Sequence, residues 1–165
     1  MERLEKKISE IGVGEVATVS GRFYAMDRDQ RWERIELATH SIFSGKGDHY
    51  FLDPKEEIKN QYQQTTTDEF FIPAVSKKYS GFNAGDGLFF FNFRADRMRQ
   101  IVGAASAFEV PVQIATMSRY DEKFKFPMAF EKAKVTSTLG EYLSRLGYHQ
   151  LRIAETEKYA HVTYF

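Results

Sequence analysis

Cysteine is absent from this 165-residue chain. That excludes disulfides and thiolate chemistry and says little about compartment. No sign of charge prevails either: 23 Lys and Arg stand against 23 Asp and Glu. A neutral balance argues against nonspecific nucleic-acid binding, which needs a basic excess or a basic face. There is no apolar run long enough to cross a bilayer. The first residues, MERLEKKISE, are charged and lack an apolar signal core, so a cytoplasmic protein is expected. Nucleophile elbows of the GxSxG type, GxGxxG and GxxxxGK[ST] phosphate loops and HExxH pairs are all missing. The histidines, His40, His49, His149 and His161, have no metal-ligand spacing. Tryptophan occurs once and phenylalanine 15 times, which predicts a phenylalanine-rich core.

The remaining composition, 42% hydrophobic and 28% charged, is that of an ordinary soluble domain of sufficient length to bury a core. Leu4, Ile8 and Ile11 share one face of a helix over Glu2–Ile11, stopped by Gly12 and Gly14. Val16–Ala25 reads as a strand covered on both faces. A helix from Arg31 to Phe43 carries Trp32, Ile35, Ala38 and Ile42 as its apolar stripe and ends at Gly45. Asp53-Pro54 is a helix cap followed by a first-turn proline, with Glu56 and Glu57 at the positive end; that helix reaches Gln63. Pro73 demotes Phe70–Val75 to an edge strand or an irregular segment. Gly81–Gly87 is a turn cluster. Leu88–Phe93 is a strong strand, Asp96–Phe108 a helix and Val112–Met117 a third strand. Asp121–Val135 is a connector, Ser137-Thr138 opens a short helix closed by Gly147, and His149–Ile153 is a short strand. Tyr159–Phe165 is a helix or a terminal strand. Strands alternating with helices predict an α/β fold, a mostly parallel sheet flanked by helices.

Two stretches concentrate arginine beside aromatic residues. GRFYAMDRDQRWERIE, Gly21–Glu36, holds Arg22, Arg28, Arg31 and Arg34; FFFNFRADRMRQ, Phe89–Gln100, holds Arg94, Arg97 and Arg99. The guanidinium fork meets carboxylate and phosphate in a bidentate way, so arginines gathered at strand ends suggest a pocket for a small, strongly anionic ligand. Arg31 and Arg34 are read as partners of Asp29, Glu33 and Glu36 along a solvated helix face. Arg22 and Arg28 lie at and beyond the C-terminal end of a predicted strand, where ligands of open α/β sheets collect. Arg94 emerges from an apolar segment and Arg97 follows one helical turn later; both suit a ligand, or an ion pair with Asp96 or Asp121. Lys158 suits a phosphate, or a pair with Glu155 or Glu157.

Four segments resemble the cofactor-independent, that is 2,3-bisphosphoglycerate-independent, phosphoglycerate mutase family. They are ATVSGRFYAMDRDQRWER (Ala17–Arg34), TDEFFIPAV (Thr67–Val75), FFFNFRADR (Phe89–Arg97) and TLGEYLSRLGYHQLRIAETEKYAHVTYF (Thr138–Phe165). With their connecting segments they match in collinear order over nearly the whole chain. The resemblance implies an isomerase of glycolysis and gluconeogenesis that interconverts 3-phosphoglycerate and 2-phosphoglycerate through a phosphoserine, assisted by two metal ions, commonly manganese. It implies a phosphotransferase domain inserted into a phosphatase domain of the alkaline-phosphatase type. Arg22 and Arg28 match the substrate-binding arginines of the family's GRYYAMDR motif, Arg94 and Arg97 those of NFRPDR, and Lys158 the lysine of ETEKY. Ala95 stands where that family motif has proline.

The family's catalytic serine, its aspartate and histidine metal ligands and its HLDGRD-type motif have no counterpart here. The resemblance therefore marks a middle fragment: a substrate-clamp phosphotransferase domain over 1–131, then a linker and returning phosphatase segment over 132–165. It implies substrate-binding residues, no catalytic nucleophile and no metal ligand in this chain. A non-catalytic anion-binding module is the competing expectation. Partners would be the phosphoglycerates and a complementing phosphatase-domain chain, or a second copy joined through an open sheet edge; nucleic acid and membrane are not expected.

Overall fold

The structure, a computed structural model, describes residues 1–131, 135–159 and 162. The chain divides into two compact units, Met1–Ala129 and Phe130–Phe165.

The first unit opens with α1 (Glu2–Ile11), which has no side-chain cap at Met1 and closes on Gly12 in the left-handed region. The strand expected over Val16–Ala25 is cut short. Pairing is confined to β1 (Thr18–Val19), and Arg22–Ala25 turns into a single helical turn, α2. The cause lies at Gly21. Its N–H bonds to Phe71 O at 2.9 Å, and a Cβ there would stand 2.4 Å from Glu69 O, so main chain packs directly on main chain. Helix α3 (Trp32–Ser44) buries Ile35, Ala38 and Phe43 and ends on Gly45, while Trp32, expected in the stripe, is exposed. At Gly45 (φ 63°) and Gly81 (φ 94°) the end of α3 crosses the turn at Ser80–Gly81 so closely that a Cβ on either would lie 2.5–2.6 Å from the other segment's backbone.

A three-residue strand unforeseen in the sequence, β2 (His49–Phe51), precedes α4 (Pro54–Gln63). Asp53 caps α4, accepting from Lys55 N at 2.8 Å, with Pro54 in the first turn. Next comes β3 (Ala74–Ser76). It is not an edge strand: β3 is the centre of the order β1-β3-β2, antiparallel to β1 and parallel to β2. Pro73 sits just outside the ladder, so it removes no bond from it.

The second sheet pairs β4 (Gly87–Phe90) with β5 (Gln113–Thr116) in parallel through α5 (Arg99–Ser106). The fold is thus α/β with two parallel pairings and one antiparallel, divided between two small sheets rather than gathered in one. The continuous core joins Phe43, Phe90, Met98, Ile101, Val102, Ala105 and Tyr120. Phenylalanine does contribute, but the strand expected to Phe93 stops at Phe90, and Phe91 and Phe93 are 74% and 83% exposed. The other edge of β4 carries no strand among the described residues.

In the second unit Thr138 caps α6 (Leu139–Arg145), accepting from Glu141 N at 3.3 Å, and Gly147 adopts φ 80° beyond it. The strand expected over His149–Ile153 does not form; the segment is irregular and exposed. A short 3₁₀ turn spans Thr156–Lys158. The expectation for Tyr159–Phe165, and His161 with it, falls largely outside the described residues.

Candidate functional site

The loop that follows α2 folds around a buried carboxylate. Asp27, 4% exposed, accepts from the backbone N–H groups of Asp29 (2.9 Å) and Arg31 (3.0 Å) and from Gln100 Nε2 (3.1 Å). Arg31 and Arg34 bring guanidinium nitrogens within 3.6 and 3.8 Å of the same carboxylate. Burial opposes the charge on Asp27, but these hydrogen bonds prevail and hold its carboxyl below the usual range. Arg31 also pairs with Asp29 at 3.0 Å, and the Arg34 guanidinium lies 3.7 Å from the Phe23 ring centre. These two arginines have structural partners, as expected, though Asp27 takes the place of Glu33 and Glu36.

A second carboxylate, Asp96, is 9% exposed and lies between the two arginine stretches. Arg94 grips it with two prongs, Nε to Oδ1 at 2.7 Å and Nη2 to Oδ2 at 3.0 Å, and Arg28 Nη1 reaches Oδ2 at 2.9 Å. Burial pushes the Asp96 carboxyl up, and the bonds from Arg94 and Arg28 overcome it and hold the group down at about 2. Arg97 Nη1 donates to Met26 O at 2.9 Å. Its guanidinium is destabilised first by burial, then by the like charges of Arg28, Arg94 and Arg22, with Asp96 opposing. Arg22, at the start of α2, pairs with Glu69 at 3.0 Å and is half exposed.

Arg22, Arg28, Arg94 and Arg97 therefore occupy one locality, although the strands behind them belong to separate sheets and Arg94 leaves an exposed stretch, not a buried one. Arg28 and Arg94 share the Asp96 carboxylate, Arg22 has Glu69 and Arg97 holds a backbone carbonyl, so four guanidinium groups face two carboxylates and an excess of positive charge remains, a setting that favours a small polyanion. Arg99 pairs with Asp121 at 3.9 Å. Lys158 belongs to the second unit and lies 3.5 Å from Glu155, one of the two carboxylates open to it in the sequence. Asp27, Glu69 and Gln100 complete the surroundings of the cluster; sequence reasoning gave them no role, because each acts across a separation that no local pattern marks.

The described histidines, His40, His49 and His149, join no metal-like grouping. His40 and His49 each approach one carboxylate, Glu36 at 3.9 Å and Glu57 at 3.8 Å. Among the described residues no three His, Cys, Asp or Glu side chains come together as a metal site. The two ions implied by the family resemblance do not fit the residues described here.

Residues 1–122 match the family described as BPG-independent PGAM N-terminus. The chain belongs to this family. Among curated relatives, a 2,3-bisphosphoglycerate-independent phosphoglycerate mutase of Clostridium novyi is 47% identical, covering 100% of this chain and 35% of its own length. One from Helicobacter pylori is 49% identical over 92% of this chain and 32% of the relative, and one from Haloarcula marismortui 45% over 98% and 33%. A crystal structure of Leishmania mexicana phosphoglycerate mutase, determined at low cobalt concentration, superposes with a TM-score of 0.79 at 26% identity. It covers 99% of this chain and 34% of that one. The chain thus spans about a third of the length of the BPG-independent mutases it matches. The arginine cluster lies within the matched family segment; Lys158 lies beyond it.

Proposed function

We propose that this chain supplies the substrate clamp of a 2,3-bisphosphoglycerate-independent phosphoglycerate mutase. The observation that carries the reading is the joint hold of Arg28 and Arg94 on Asp96, with the charges of Arg97 and Arg22 close by. A phosphoglycerate bears a phosphate at one end and a carboxylate at the other. Several forked cations hold both ends at once, and they keep the glycerate in place while its phosphoryl group leaves one hydroxyl and returns to the other. Electrostatic stabilisation and positioning dominate phosphoryl transfer, so residues that only bind also serve the reaction. Lys158 is assigned beside the transferring group on its ETEKY match; the pair with Glu155 would yield to the phosphoryl oxygens.

The phosphoserine nucleophile and the two manganese ions would come from a complementing phosphatase-domain chain. In that division 1–131 is the phosphotransferase domain and 132–165 the returning phosphatase segment. The edge of β4 that pairs with no strand among the described residues offers a place for complementation or self-association. The setting is the cytoplasm, in keeping with glycolysis; no helix among the described residues is long and apolar enough to cross a membrane.

Isothermal calorimetry with 3-phosphoglycerate tests the clamp: binding without added metal, lost in Arg94→Ala and Arg97→Ala, supports it, and unchanged binding in both variants removes these arginines from the site. An enolase-coupled assay with manganese tests the division of labour, since turnover by this chain alone would overturn it. A non-catalytic anion-binding module is the second reading, since the arginine cluster by itself accounts for binding and not for turnover. It separates from the first if adding a phosphatase-domain chain restores no mutase activity.

A further inference from the structure

The loop that presents Arg28 is tied to α5 and its approach by contacts that span about seventy residues of sequence. Met26 O accepts from Arg97, Asp27 accepts from Gln100 Nε2, and Gln30 N donates to Gln100 Oε1 at 3.0 Å. Gln100 is the member that uses both ends of one side chain. Its amide N–H₂ reaches the buried carboxylate before Arg28, and its carbonyl takes the backbone N–H of the second residue after Arg28. Gln100 is 7% exposed, so neither bond is readily replaced by water. The loop needs such a hold, because Gln30 sits at φ 60°, a left-handed conformation that non-glycine residues adopt at a cost.

We propose that Gln100 is a positioning residue for Arg28: its amide clasps both ends of the Asp27–Gln30 loop and so fixes where the Arg28 guanidinium meets Asp96 and an incoming anion. The inference rests on the clamp reading for the identity of that anion. The geometry that motivates it stands independently. Gln100 acts on the residues either side of Arg28, through the side-chain carboxylate of Asp27 and the backbone N–H of Gln30.

Three variants of the full 165-residue chain separate positioning from packing. Gln100→Met keeps the bulk and loses both bonds. Gln100→Glu keeps the acceptor for Gln30 N–H and sets a second carboxylate against Asp27. Arg28→Ala removes the group said to be positioned. The first measurement is amide hydrogen exchange by NMR without ligand. In Gln100→Met the amide of Gln30 is expected to exchange at least about tenfold faster, while core amides of α3 and α5 keep their protection. Unchanged exchange at Gln30 overturns the inference.

The second measurement is 3-phosphoglycerate affinity by calorimetry. Gln100→Met and Gln100→Glu are each expected to weaken binding about tenfold in the wild-type background and to have little effect in Arg28→Ala, the signature of action through one residue. Equal losses in both backgrounds assign Gln100 a general structural part and overturn the inference, as does full affinity in Gln100→Met. If the wild-type chain fails to bind 3-phosphoglycerate, the clamp reading falls, and the exchange measurement alone decides whether Gln100 holds the loop.

Discussion

Arg97 donates a hydrogen bond to the main-chain carbonyl of Met26 at 2.9 Å, across 71 positions of sequence. One guanidinium thereby ties the two arginine stretches together while remaining close to Arg28, Arg94 and Arg22. Like charges gather only where something compensates them, and here Asp96 takes Arg28 and Arg94 while Glu69 takes Arg22.

Arg97→Lys is therefore expected to fall short of restoring what Arg97→Ala loses. A lysine supplies charge but lacks the planar fork needed to keep Met26 O and an anion at once. Affinity for 3-phosphoglycerate, read by calorimetry, should drop about tenfold or more in the alanine variant and recover only in part with lysine.

Asp96 should make stability fall on acidification. Its folded carboxyl titrates at about 2, below the ordinary 3.8. A depressed carboxyl stabilises the fold above its unfolded value, and that contribution disappears as pH drops from about 4 through 2. Asp27, depressed in the same direction, adds to the effect. Asp96→Asn is expected to lower stability at pH 7 by about 2 kcal/mol and to flatten the acid limb of a urea-melt series.

At the crossing of α3 with the turn at residue 81, Gly45→Ala and Gly81→Ala are each expected to cost more than about 2 kcal/mol in thermal unfolding, since a methyl group would meet backbone and the positive φ adds strain. Gly85→Ala is the control. It shares a positive φ of 90° but has nothing within 4 Å of the added carbon, so its loss should stay near 1 kcal/mol, about what the conformation alone costs.

Removing the cap of α4 by Asp53→Ala should destabilise the chain by about 1 kcal/mol, measured in urea, because the Lys55 N–H loses its acceptor.

Local chemistry made several elements legible in the sequence. Gly12 and Gly45 stop their helices in the left-handed region, Asp53-Pro54 starts α4 and Thr138 starts α6. Each signal is written within four residues of where it acts. What the sequence concealed depends on distant partners. The strand from Val16 breaks because Gly21 must lie against Glu69 and Phe71, and β3 is central because β1 and β2 flank it from either side. The run of phenylalanines looked buried, yet hydrophobicity alone does not state whether a covering layer exists at Phe91 and Phe93. In the arginine cluster, position at strand ends pointed to Arg22, Arg28, Arg94 and Arg97, and the structure does bring them near one another. Asp96 entered the sequence reading only as a possible partner of the second stretch. Its bridge to Arg28, and the bracing by Asp27 and Gln100, join residues about seventy apart and leave no periodic trace.

The bare side of β4 has a practical corollary. An edge that pairs with no strand among the described residues, beside the exposed rings of Phe89, Phe91 and Phe93, is the combination that seeds strand addition between molecules. Raising the concentration should therefore promote association through this edge, and Phe91→Lys, at a position 74% exposed, should act as a gatekeeper that delays clouding.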